Sequence, residues 1–185
     1  MARVPDSPAA ELDAEQQRLY DAIAGARGGV VRGPFAIWLR NPAIADRANQ
    51  FGNTLRLSGR LDRRLFELMV LVIARHWSAQ YEWYAHEGQA REHGVSAAVI
   101  EALRAGRTPS FTKYDEQIVY ELVSELLDKR TVSQPTYDRA LAAFGLDMLI
   151  ELTTAAGFYT MVAMMLNTFD APVPGEARPL PPLRS

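Results

Sequence analysis

The stretch LDRRLFELMVLVIARHWSAQYEWYAHEGQAREHG, Leu61 to Gly94, decides how this chain is read. From Leu65 to Ala74 it is apolar on nearly every side, with no alternation of period two. Such a run, opened by Asp62 as a cap, predicts a buried helix from about Asp62 to Trp77. A second, more polar helix follows and is closed by Gly94. The short link SAQ (Ser78, Ala79, Gln80) joins them, so the pair should pack antiparallel. Glu67 stands midway along the first helix, and Glu82 and His86 share one face of the second. The same stretch carries all 3 histidines of the chain and two of its 3 tryptophans, Trp77 and Trp83.

The helical pattern extends outward in both directions. Upstream, LDAEQQRLYDAIAGARGG reads as a helix capped by Asp13 and stopped by glycines, RGPFAIWLRNP as a connector, and NPAIADRANQFGNTLRLSG as a helix with Asn41 as cap and Pro42 in its first turn. Downstream, VSAAVIEALRAG has Ser96 as cap and Gly106 as stop. KYDEQIVYELVSELLDKR repeats its apolar residues with a helical period. SQPTYDRALAAFG is capped by Ser133 and stopped by Gly145, and LDMLIELTTAAGFYTMVAMMLNTF is a long apolar final helix. The reading is an all-α fold in one domain, residues 1–172, with a weak internal repeat of two loosely similar helical sets. Residues 173–185 form a Pro-rich tail that cannot be helical and should wrap a surface or fray.

Composition narrows the function classes. The chain has 185 residues, 48% hydrophobic and 23% charged, with a formal net charge of -2. That balance gives no electrostatic case for a nucleic acid or an anionic membrane as partner. The N-terminal MARVPDSPAA lacks the apolar stretch of a signal peptide, and the run Leu65–Ala74 is too short to span a bilayer, so a cytoplasmic protein is expected. There is no cysteine, which removes disulfides, thiolate nucleophiles and Cys metal sites together.

What is left is acid–base equipment. A carboxylate beside an imidazole fixes its tautomer and raises its basicity, the usual preparation of a general base. Glu82 and His86 have that spacing, although most such pairs are surface contacts. Glu67 weighs against a surface role. A lone carboxylate in so apolar a helix costs several kcal/mol, so Glu67 must be protonated, paired or facing a polar cavity. Across an antiparallel pair Glu67 and His86 could approach each other. Glu67, Glu82 and His86 would also suit iron or manganese, but the Glu-x-x-His signature of diiron sites is missing, so no metal is expected.

These residues resemble the carboxymuconolactone decarboxylase and alkylhydroperoxidase D superfamily. Its redox members carry a Glu, eleven residues, then Cys-x-x-Cys-x-x-x-His. Here Glu67 and His86 match, whereas Ala79 and Glu82 stand at the cysteine positions and Tyr81 at that of a second histidine. ARHWSAQYEWYAHEGQAREHGVS looks like the cysteine-free, decarboxylase-like branch, and GFYTMVAMMLNTF like the final helix of the group; the likeness runs from about residue 12 to 172. It implies an all-helical alkylhydroperoxidase D-like fold and a homo-oligomer: dimer, trimer or hexamer. Without its thiols, the site would do proton transfer beside a carbonyl. The expectation is a cofactor-independent lyase or isomerase acting on a small oxo-acid or lactone. His86 would be base or acid, Glu82 its orienter and Glu67 a proton donor of raised pKa, with Tyr81 beside them. Phe35, Trp38 and Trp83 would be pocket walls. Two other classes stay open: a metal-dependent or peroxidase-like enzyme lacking its own CxxC, and a non-catalytic oligomeric binding protein.

Overall fold

The structure, a computed structural model, describes residues 3–4, 12–25 and 29–182. Gly28, one of the glycines expected to stop the first helix, and most of the N-terminal segment read for a signal peptide lie outside those residues. Every described regular element is helical, in the order α1 (Ala14–Gly25), α2 (Pro34–Trp38), α3 (Pro42–Asn53), α4 (Arg63–His76), α5 (Gln80–Glu92), α6 (Ala97–Arg104), α7 (Tyr114–Lys129) and α8 (Gln134–Thr168). The chain divides into two units at Gly59, one of Met1–Gly59 with Met165–Pro172, the other of Arg60–Met164 with Val173–Ser185. That boundary is not the one between the two sets of the weak repeat.

In the first unit the caps are those the sequence announces. Asp13 and Gln16 form a reciprocal capping box, with the Gln16 N–H donating to Asp13 Oδ1 at 2.8 Å and the Asp13 N–H to Gln16 Oε1 at 3.0 Å. Asn41 Oδ1 accepts the Ile44 N–H, and Pro42 occupies the first turn of α3. The connector 32–42 departs from expectation, since Pro34 starts the short helix α2 within it. Phe35 and Trp38 lie in α2, both buried, their rings edge to face at 5.3 Å. After α3 the backbone widens into a π-helical turn, Thr54–Ser58.

In the second unit α4 lies innermost. Every residue from Leu65 to Arg75 is buried, as a helix apolar on all sides requires. Its start is fixed twice: Asp62 Oδ1 accepts the Arg64 N–H at 2.9 Å, and Glu151 of α8 accepts the N–H groups of Arg60 and Leu61, each at 2.9 Å. Arg64 ties α4 to the start of α7 through Asp115 and Glu116, both at 2.6 Å. α8 is broken at Gly145, whose φ of 74° and ψ of 169° suit only glycine, so the two helices expected there do exist, end to end. By length and composition α8 could cross a membrane; half of its apolar window is buried inside the protein. The Pro-rich tail straps this unit and, against the expectation that it cannot be helical, contains a single 3-10 turn, Pro174–Glu176. Leu180 is buried and exchanges two hydrogen bonds of 2.9 Å with Gln80, and Arg104 donates to the Pro179 carbonyl.

The link between α4 and α5 is a Schellman turn. The Ala79 N–H reaches back to the Ala74 carbonyl at 2.8 Å and the Ser78 N–H to that of Arg75 at 3.0 Å. Ser78 holds the left-handed position, φ 49°, where glycine is preferred. Ser78→Gly should therefore stabilise the fold by ~0.5–1 kcal/mol, the left-handed penalty less the extra chain entropy of glycine. A urea midpoint unchanged or lowered would contradict the strain assigned to Ser78.

Candidate active site

The turn at Ser78 brings α5 back along α4, and two side chains meet. His86 Nδ1 lies 2.7 Å from Glu67 Oε2. Glu67 is fully buried and His86 is 7% exposed. The carboxylate can only accept, so Nδ1 carries the proton and the basic nitrogen of the ring is Nε2. The other Glu67 oxygen accepts from Arg63 Nη2 at 2.6 Å, one helical turn earlier on α4. A guanidinium is always charged, so this contact favours the anionic form of Glu67. Arg63 in turn lies over the Phe66 ring at 4.9 Å. Tyr159 of α8 packs edge-on against the His86 ring at 5.3 Å and against Phe66 at 5.3 Å, closing the dyad from a third helix.

The geometry exchanges the roles expected of the two carboxylates. Glu82 does not orient His86: both of its oxygens are buried without a hydrogen-bond partner. It shares a face with His86, but Glu67 reaches Nδ1 from the neighbouring helix. Glu67, for its part, is not the neutral acid, because it is doubly paired. The acid of raised pKa is Glu82. Its residue is 1% exposed, and burial alone pushes its carboxyl well above the usual range.

Of the remaining sequence candidates, Tyr81 is half-buried on the first turn of α5. Trp83 is corrected to a structural anchor. It is fully buried, its indole N–H donates to Glu87 at 3.0 Å, and Arg104 lies over its ring at 5.4 Å, so no face is left for a ligand. Burial would raise the Glu87 carboxyl, but hydrogen bonds from Arg91 and Trp83 and the charge of Arg104 outweigh it and hold the group below its usual value. Phe35 and Trp38 belong to the first unit, the dyad to the second. Sequence reasoning missed Arg63 and Tyr159. Arg63 stands four residues before Glu67, a legible i,i+4 ion pair; Tyr159 carried no local signal. Among the described residues no group of three or more His, Asp or Glu side chains is arranged to hold a metal ion.

Residues 42–131, the segment with Glu67, Tyr81, Glu82 and His86, match the carboxymuconolactone decarboxylase family. That match spans 90 of the 185 residues of the chain. No curated protein matches it. Among solved structures, a peroxidase-related protein from Silicibacter sp. TM1040 superposes with a TM-score of 0.73 at 14% identity, covering 96% of this chain and 93% of its own. A peroxidase-related protein from Ralstonia eutropha JMP134, described as an alkylhydroperoxidase AhpD core, does so with 0.76 at 14%, covering 98% of both. These likenesses establish the helical alkylhydroperoxidase D-like fold.

The lone Glu82 carboxyl makes stability pH-dependent with a definite sign. Its folded pKa lies above the ordinary 4.5, so the folded state holds the proton after the unfolded chain has lost it. Stability from this group is full below about pH 4.5 and falls as pH rises toward the folded value, by up to about 1.4 kcal/mol per pH unit. Glu82→Gln removes the titration. Urea unfolding of both proteins from pH 4 to 8 should show the variant gaining on the wild type with rising pH; parallel curves would contradict it.

Proposed function

We propose that the chain is a cofactor-independent acid–base enzyme, a lyase or isomerase that moves a proton beside a carbonyl of a small oxo-acid or lactone. The single observation that carries this reading is the 2.7 Å contact of His86 Nδ1 with buried, Arg63-paired Glu67. A fixed tautomer leaves Nε2 as a neutral base, and the Glu67 anion stabilises the imidazolium formed when Nε2 takes a proton. Glu82, kept neutral by burial, supplies the acid on the same helix face. An acid and a base pushed apart by their surroundings are what a proton-transfer site needs. In a decarboxylation, loss of CO₂ leaves an electron pair on carbon, and the acid delivers the proton that quenches it. In an isomerisation, Nε2 removes one proton and the acid returns another. Tyr81 remains a proposed catalytic residue.

The peroxidase-related description belongs to the two structural neighbours. A thiol cycle has no counterpart here, since no cysteine is present to form a sulfenate or disulfide.

With a panel of muconolactones and β-keto acids, His86→Ala should lose roughly 10²–10⁴-fold in rate, the usual worth of a general base. Glu67→Gln should lose ~10–100-fold by releasing the ring orientation, as for other second-layer partners of histidine. An active wild type whose rate is untouched by His86→Ala would remove the mechanism. Activity that depends on a stoichiometric metal, lost with His86→Ala, would replace it with the metal-dependent reading.

We also propose a homo-oligomer. Leu146, Ile150, Met161 and Met164 are exposed along one stripe of α8, and adaptable methionines suit such contacts. Light scattering at micromolar concentration should give a multiple of the 20.6 kDa chain. Ile150→Glu combined with Met161→Glu should shift it toward monomer. A wild-type monomer refutes the proposal.

A further inference from the structure

Residues 179–181 of the C-terminal tail lie in a seat built by three helices. Consecutive carbonyls of the tail each accept from a different one. Arg104 Nη1 of α6 donates to Pro179 at 2.8 Å, Gln80 Nε2 of α5 to Leu180 at 2.9 Å, and Arg75 Nη1 of α4 to Pro181 at 2.8 Å. Gln80 Oε1 also accepts the Leu180 N–H at 2.9 Å, so one side-chain amide holds the leucine main chain at both its donor and its acceptor. Leu180 is 2% exposed, whereas Pro181 and Pro182 are exposed.

The seat reads the main chain and one side chain. Proline has no N–H, so from Pro179 to Pro182 the sole main-chain donor is that of Leu180, and Gln80 takes it. The sequence Pro-Leu-Pro-Pro is thus complementary to a row of side-chain donors, the logic by which Pro-rich segments are recognised. The seat is also unfinished without a peptide. Among the described residues, the one hydrogen bond of buried Arg75 is to Pro181. The tether is loose by comparison. Among the described residues no main-chain hydrogen bond joins residues 172–178 to α1–α8, and the chain passes there from the first unit to the second. Fully extended, that stretch spans roughly 24 Å.

We propose that this seat is a peptide-binding groove and that the C-terminal tail is an exchangeable arm, seated in its own chain or in a second copy. Every contact that seats the tail in cis can be made by the tail of another copy, which is the condition for exchange of identical elements. The inference is independent of the acid–base reading of His86 and of the apolar stripe on α8.

The probe is a fluorescent peptide of residues 177–185, ARPLPPLRS, added to the full chain. Leu180→Asp frees the seat, because a charge is costly in the leucine slot. Leu180→Ser is the milder alternative, and circular dichroism checks that each variant is folded. The peptide should bind Leu180→Asp saturably, one per chain. It should bind the wild type at least ~10-fold more weakly, because the tethered tail competes at an effective concentration on the order of mM. Adding Gln80→Ala to Leu180→Asp should weaken binding ~10-fold or more by removing two hydrogen bonds. For exchange, a Gln80→Ala chain with a dye on Ser185→Cys, in a sequence otherwise free of cysteine, is mixed with Leu180→Asp. The dye anisotropy should rise, then fall when unlabelled peptide is added in excess, a reversal that association through α8 would not show. Absent saturation, or equal binding by the wild type and Leu180→Asp, overturns the groove. Peptide binding without a peptide-reversible rise in the mixture overturns the exchange.

Discussion

Glu67 is an acidic group in the middle of a helix buried from Leu65 to Arg75, and the second unit is arranged around satisfying it. A carboxylate so placed has no water to turn to, and leaving one unpaired costs several kcal/mol. Two donors meet it from two directions: Arg63 from the preceding turn and His86 from α5. The His86 contact fixes how far α5 slides along α4, because a shift of one residue would turn the imidazole away. The Schellman turn at Ser78 sets where α5 starts, and the 2.7 Å contact sets where it arrives. Packing and chemistry thus share one constraint.

The comparison of Glu67 with Glu82 shows how two equally buried carboxyl groups acquire different characters. Burial opposes ionisation of both. Glu67 receives a guanidinium and an imidazole, and its anion is held. Glu82 receives nothing, and burial pushes its carboxyl well above the usual range. Neither outcome depends on the residue type, which is the same, nor on depth, which is nearly the same. The donors within hydrogen-bond reach decide it. In the redox members that the chain resembles, a cysteine stands at the position of Glu82. Here that position carries a buried carboxyl with a raised pKa, and the chain has no thiol.

Much of this was legible in the sequence because it rests on local rules. The caps at Asp13, Asn41, Asp62 and Ser96 are side-chain hydrogen bonds within three residues. The all-α class follows from the periodicity, and the Glu67–His86 approach from counting residues on either side of a short link. The misreadings share a cause. Spacing gives the face of a helix, not the partner a side chain finds there. Glu82 and His86 share a face, yet the ring turned to a residue nineteen positions away. Trp83 looked like a pocket wall because aromatic residues line pockets, but Glu87 and Arg104 one and several turns on had already claimed it. Tyr159 comes to the dyad from α8, and no local pattern announces a contact across more than seventy residues. The helix hidden in the connector, α2, is five residues long, too short to show a period.

Helix α4 carries a second buried charge, and the contrast with the first is instructive. Glu67 and Arg75 are both engulfed by the same apolar surroundings, eight residues apart. The protein answers Glu67 from within, by two donors on fixed helices. It answers Arg75 only in part, by one carbonyl of the tail strap, and leaves Nε and Nη2 buried without a hydrogen-bond partner. A fold that needed only to neutralise Arg75 had a carboxylate nearby in Asp128, yet that group pairs with His76 instead. The incomplete pairing of Arg75 is therefore a property of the arrangement rather than a shortage of acids.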